Sequence, residues 1–309
     1  MINAITVVNQ AGESLRINLR NPAETGFLIS SIDGLGPVKG SLNIAEVVTS
    51  DGGQFNSARK STRNIVIHLY FYEDNVDGLS IEELRRKSYR YFKVKRRVSL
   101  LIETDTRNYL TYGYVESNDP DIFSSRESSQ ISIICPDPYL YGTSAVSADM
   151  SSLTSTFEFP FSNESLTQRL LVLGELSSEP AFVIIYEGDS DNGVTIDIRA
   201  QQTLTGTLTI FDETIGGSMV IDLDKISTLT GAAVGIGDVI EINTVIGNKY
   251  AKLIRSGVET NILNCIDRDA SWFQLISGDN IISYSFSDSN LDPSSVRINV
   301  MYEELFEGV

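Results

Sequence analysis

His68 is the only histidine in the chain, so any imidazole-dependent triad or histidine-ligated metal would have to be built on it. It lies inside a β-branched and aromatic run, between Ile67 and Leu69 and on the side shared by Val66 and Tyr70. General bases sit more often on loops and at strand ends, so His68 reads as structural, and a single histidine excludes an HExxH zinc site. Cys135 and Cys265 are the only cysteines. They are too few for a four-cysteine zinc site or a disulfide framework, and read as buried free thiols. Gly34-Leu35-Gly36 lacks the third glycine of a dinucleotide loop, Pro37 falls where a helix would begin, and no Lys-Ser/Thr pair follows. It reads as a turn. Glu187, Asp189 and Asp191 offer oxygen atoms to calcium, but an EF-hand register would place a glycine at Asn192 and a carboxylate at Ile198. The Asn192-Gly193 pair makes this stretch the solvated tip of a hairpin. Neighbouring acids such as Glu82-Glu83 and Glu303-Glu304 are commonplace in a chain with 41 Asp and Glu, and sequence spacing alone nominates no acid/base couple. Trp272-Phe273, followed by Leu275, could stack on a sugar but reads as core. The residues therefore point to no catalytic centre, metal or cofactor.

The strongest chemical signal is cationic. Arg85, Arg86, Lys87, Arg90, Lys93, Lys95, Arg96 and Arg97 form one basic run, with no acid between Leu84 and Glu103. Tyr89, Tyr91 and Phe92 are interleaved, a pattern that single-strand nucleic-acid binders share, yet these rings fall on or beside the apolar face of a helix. Charge runs are usually exterior faces. Arg85, Arg86, Arg90, Lys93, Lys95 and Arg96 are therefore the candidates for a subunit-facing surface. The chain as a whole has a net charge of −17, which makes free duplex DNA a poor partner. Residues 1–140 carry 16 bases and 17 acids, and the remaining 8 and 24 fall in 141–309, an asymmetry expected of two folding units.

The elements that position these groups are mostly strands. At 309 residues and 41% hydrophobic content the chain is long enough for two domains with real cores. No stretch approaches the roughly 18 apolar residues of a membrane helix, and residues 1–10 lack the pattern of a secretory signal, so a soluble protein made in a cytosol is expected. Residues 14–20 alternate, with Leu15, Ile17 and Leu19 inward. Residues 64–72 have the composition of a strand covered on both faces, and strands follow at 97–104, 109–116 and 130–135. Ser80 with Glu83 makes a capping box, opening a helix whose Ile81, Leu84, Ser88 and Tyr91 share a face joined by Phe92. Pro136-Asp137-Pro138 then breaks the pattern, and eight of residues 143–156 are Ser or Thr. The expected organisation is an N-terminal β-rich domain with one helix over 1–140, a linker over 141–156, and an antiparallel β-sandwich over 157–309. In the second half, strands are expected at 181–186, 194–198, 205–211, 219–223, 239–243, 250–254, 281–286 and 296–302, the first two joined as a hairpin, with no helix.

The order of several segments resembles the distal tail proteins, or Dit proteins, of long non-contractile-tailed bacteriophages. These are residues 27–36 (FLISSIDGLG), 51–59 (DGGQFNSAR), 63–67 (RNIVI), the helix, 98–104, 113–118 (GYVESN) and 133–139 (IICPDPY). Trp272-Phe273, Gly278-Asp279-Asn280, Ile282, Tyr284, Tyr302 and Glu307-Gly308-Val309 extend the resemblance to the second half. It implies a mainly β protein whose N-terminal domain closes into a hexameric ring, single or paired back to back, with a galectin-like sandwich pointing outward. The ring would sit at the distal end of the phage tail and join the tail tube protein to a tail-associated fibre or lysin hub, and to a receptor-binding protein. DNA would pass through its opening without sequence-specific contact. Neither catalysis, cofactor nor membrane belongs to that role. The clustered His, Asn, Arg and Trp of a sugar-binding galectin groove are missing. Two other functions fit the same composition: a carbohydrate-binding sandwich of a baseplate or cell-surface assembly, and a tail-attached, carboxylate-dependent cell-wall hydrolase.

Overall fold

A computed structural model describes residues 1–46, 51–149, 151–154, 175–178 and 181–309. They form two compact units, one of residues 1–143 with 305–309 and the other of residues 144–304.

The first unit is built on one large antiparallel sheet. Its strands are β1 (Ile2–Asn9), β2 (Ser14–Asn18), β3 (Phe27–Asp33), β6 (Arg63–Phe71), β7 (Arg97–Thr104), β8 (Asn108–Asp121) and β9 (Ser128–Cys135), in the order β2-β1-β7-β8-β9-β6-β3. The edge strands β2 and β3 approach each other, so the sheet curls around its core. Alternation fills that core: Ile5 and Val7, Leu15 and Ile17, Ile65, Ile67 and Leu69, Val98 and Leu100, and Ile131 and Ile133 all point inward. Strand β6 is buried on that side only. Val66 and His68 stay half-exposed and Tyr70 exposed, whereas Ile65, Ile67 and Leu69 face the core. The expectation of a strand covered on both faces is corrected.

Helix α1 (Ile81–Tyr91) starts as its sequence dictates. Glu83 N–H donates to Ser80 Oγ, and Ser80 N–H donates back to the Glu83 carboxylate at 2.9 Å. Leu84, Ser88 and the following Phe92 are buried, with Ile81 and Tyr91 packed alongside. Both thiols are free and buried.

Among the described residues, strands β4 (Gly40–Glu46) and β5 (Gly53–Lys60) pair only with each other. The expected linker holds three strands, the last of them β12 (Ser151–Thr154). β10 (Leu140–Gly142) pairs with β8, and β11 (Val146–Asp149) enters the second unit's sheet; residues 155–156 and 157–174 lie outside the described residues. The C-terminus also departs from the expected division. β23 (Leu305–Phe306) pairs with β10, and Phe306 packs edge-on to Tyr109 at 5.2 Å. Burying those two rings draws residues 305–309 into the first unit.

The second unit is an antiparallel sandwich. One sheet contains β11, β22 (Val296–Tyr302), β15 (Thr195–Ala200), β18 (Val239–Asn243), β19 (Tyr250–Arg255) and β20 (Val258–Asn261), in that order. The other has the order β14 (Ala181–Tyr186), β21 (Gly278–Phe286), β16 (Thr207–Asp212) and β17 (Gly217–Asp222). Their inward residues, among them Ile196, Ile240, Leu253, Ile298, Leu208, Met219 and Ile282, make one core. Among the described residues, β12 (Ser151–Thr154) and β13 (Glu175–Ser178) pair only with each other.

Two expectations for this half are overturned. A helix, α2 (Leu223–Thr230), follows β17, capped by Asp222, which accepts from Lys225 N–H at 2.9 Å, and ended by Gly231 in the left-handed region. Strands β14 and β15 are not a hairpin, because they lie in different sheets. Asn192 donates through Nδ2 to the Glu303 carbonyl at 2.7 Å, and a Cβ on Gly193 would meet the Val245 backbone nitrogen at 2.3 Å. Long-range backbone contact, rather than a two-residue turn, explains the Asn-Gly pair.

Candidate subunit interface

The basic run divides into cations satisfied within the chain and cations that are not. Arg85 pairs with Glu127 at 2.6 Å and Arg86 with Glu82 one turn earlier at 2.8 Å. Arg90 makes a two-pronged pair with Glu13, its Nε donating at 2.9 Å. This pair ties the end of α1 to the β1–β2 turn and, with Asn9, lowers the Glu13 carboxyl to about 2. Lys93, Lys95 and Arg96 are exposed and have no carboxylate partner among the described residues.

The turn that carries these three is tied to β8 by backbone hydrogen bonds. Lys95 N–H donates to Val115 O at 2.8 Å, and Val115 N–H donates to Arg96 O at 3.1 Å, opposite a bulge in β8. Lys95 has a φ of 65°, a left-handed conformation that a lysine adopts at a cost. The strain holds a cation where glycine would fit more easily. A groove of about 910 Å³ runs between this turn, the end of α1 and the β1–β2 turn. Tyr89, Phe92 and Val94 contribute to its apolar lining, and its charged wall combines the paired Arg90 and Glu13 with Lys93 and Arg96.

A second feature was not singled out from the sequence. The β4–β5 ribbon is exposed along its whole length on both faces. Its register puts Leu42 opposite Ala58 and Ile44 opposite Phe55, so one face is apolar and the other carries Ser41, Asn43, Gln54, Ser57 and Arg59. Leu42, Ile44 and Phe55 are 62%, 53% and 61% exposed. Two-stranded ribbons are marginal in water on their own, which makes an uncovered apolar face a mark of contact. The alternation over 42–46 was the available signal.

The base of the ribbon is anchored by Arg63, only 1% exposed. Its Nε donates to Pro138 O at 2.8 Å, one terminal nitrogen donates to Gly34 O at 2.6 Å and Gly36 O at 2.8 Å, and the other donates to Glu307 O at 2.7 Å. Burial pushes its guanidinium pKa down. Nearby, Lys60 pairs with Glu307 at 2.5 Å and sits 4.4 Å over the Tyr139 ring. Gly34 fits here because its φ is 86° and a Cβ would lie 1.9 Å from Asn64 O. Sequence reading placed the Gly34-Leu35-Gly36 turn correctly, but nothing local marks Arg63 as buried.

His68 is half-exposed, 3.8 Å from Asp33. Trp272 packs against the sandwich core with Lys249 5.7 Å from its ring centre. Glu83 is used as a helix cap. No trio of His, Cys, Asp or Glu among the described residues is arranged to hold a metal, and no described helix is long and apolar enough to cross a membrane.

No family model and no curated protein matches the sequence. Among solved structures, the chain aligns with the Dit protein of phage SPP1, described as a paradigm of the hub adsorption apparatus in phages infecting Gram-positive hosts. The alignment covers 98% of this chain and 99% of that one, at 12% identity and a TM-score of 0.61. Chains of the phage P2 baseplate in its activated conformation, with Ca and with Sr, align over 97% of this chain at 11% identity and a TM-score of 0.42. The described residues share the fold of the SPP1 Dit protein.

Proposed function

We propose that this chain is a structural hub subunit of a phage tail tip and not an enzyme. Copies associate through the first unit into a six-membered ring, single or paired back to back. The ring joins the tail tube to a tail-associated fibre or lysin hub and receptor-binding apparatus, and leaves a channel for DNA. The observation that carries this reading is the match to the SPP1 hub protein over nearly the whole of both chains.

Physical features support it. A closed ring needs heterologous contacts, in which two different patches of one subunit complement each other. The first unit supplies, at one place, cations with no carboxylate partner among the described residues and, at another, an exposed apolar ribbon. Its near-balanced charge permits close approach of copies, whereas the acid excess in 141–309 would make sandwiches repel if crowded. Localisation at the distal end of the virion tail follows from the same reading.

Sedimentation of the purified full chain tests it. The expected species has six times, or for paired rings twelve times, the 34.0 kDa mass of one chain. A monomer at every concentration, also with tail tube and fibre proteins added, would refute it.

A further inference from the structure

The ribbon and the groove complement one another in both polarity and charge. The apolar face of β4–β5 ends at Glu46, on the side shared with Leu42 and Ile44, and Asp51 precedes β5. The groove has an apolar floor; of its lining cations, Arg86 and Arg90 are paired with Glu82 and Glu13, whereas Lys93 and Arg96 have no carboxylate partner among the described residues, and Lys95 lies between those two in the same exposed turn. An eight-residue strand at roughly 3.3 Å per residue is about 25 Å long, enough to lie along such a groove. Two strands wide, it presents a strip far smaller than the ~800 Å² per partner of a stable interface. The ribbon therefore supplements an edge contact and sets its register.

Resting on the ring reading above, we propose that the occupant of this groove is the β4–β5 ribbon of the next copy of the same chain. Leu42, Ile44 and Phe55 lie against Tyr89 and Val94, while Glu46 and Asp51 face Lys93, Lys95 and Arg96. Arg63 and Lys60 fix the base from which the ribbon projects, so the contact is reached without ordering a loose arm. The arrangement is head-to-tail: each copy gives a ribbon on one side and receives one on the other.

Charge reversal with rescue tests this on the full chain. Glu46→Lys should weaken self-association at least tenfold by sedimentation, and adding Arg96→Glu to the same chain should recover most of it. Both positions are exposed, so unchanged melting of the separate variants confirms that they fold. For location, Ile44→Cys with Val94→Cys is treated with a short bis-maleimide, the native thiols being buried. A ladder of covalent multimers from the double variant, absent from either single variant, is expected. Rings that form normally, show no ladder and tolerate Glu46→Lys would overturn the ribbon contact and leave the ring standing. A cross-link within one chain, or to tail tube protein instead of a second copy, would also overturn it. Failure of the unmodified chain to assemble would remove the ring reading and the ribbon contact with it.

Discussion

Replacing Arg63 with methionine strands four carbonyls, those of Gly34, Gly36, Pro138 and Glu307. Each bond has a charged donor, worth ~1.5–3 kcal/mol net when made, and the acceptors are only partly buried, so water can take over some of them. The four do not add, since one relaxation or one entering water serves several acceptors. Methionine also removes the cost of burying a guanidinium, the cost that pushes the Arg63 pKa down. The balance is a loss of about 3–5 kcal/mol, confined to the first unit. With a urea m-value of ~2 kcal/mol/M, that unit's midpoint should fall by ~2 M while the sandwich transition stays in place. Hydrogen exchange gives a local readout: the Val309 amide, which donates to Leu35 O at 3.1 Å, should lose protection first. Arg63→Lys should recover only part, because three tetrahedral donors cannot reproduce the fork. A midpoint shift below ~0.5 M, or an equal shift of both transitions, would refute the view that Arg63 clamps this end of the first unit.

Lys95→Gly should leave melting of the first unit unchanged or raise its stability by about 1 kcal/mol, as left-handed strain is relieved, yet weaken ring assembly by removing a cation; loss of stability would show that the strained turn needs the lysine stem. Gly34→Ala should cost more than ~2 kcal/mol or abolish soluble expression, since its Cβ would collide with Asn64 O and its φ is positive, and thermal melting reads this out. Ser80→Ala should cost about 1 kcal/mol through the lost cap of α1, measured by urea titration. Glu13 has a folded pKa of about 2 against an ordinary value of 4.5. Its contribution is therefore complete above pH 4.5 and is lost as pH falls from 4.5 to 2. Acid titration of Glu13→Gln should show a shallower stability decline in that window than the parent chain.

Local chemistry explains which parts of the fold were legible. The α1 cap, the inward alternation of β2 and the spacing of the sandwich strands all lie within a few residues of one another, so composition and period reveal them. Helix α2 was missed because its short run Leu223–Thr230 contains Ser and Thr residues of low helix propensity; its signals were Asp222 before it and Gly231 after it. Asn192-Gly193 misled because a local turn signal had been recruited to a contact with residues about 50 and 110 positions away. The return of Leu305 and Phe306 to the first unit, and the burial of Arg63, depend on pairings between segments far apart in the chain that no window of sequence contains. In the candidate interface the cations were legible as a group. Which of them had partners was not, because Glu13 and Glu127 reach Arg90 and Arg85 across 77 and 42 residues.

Electron microscopy of the purified full chain tests the central claim most directly. Rings of six subunits around an open channel, with density bridging neighbours through the first unit, are the predicted result. Isolated two-lobed particles at all concentrations, even beside tail tube and fibre proteins, would contradict it.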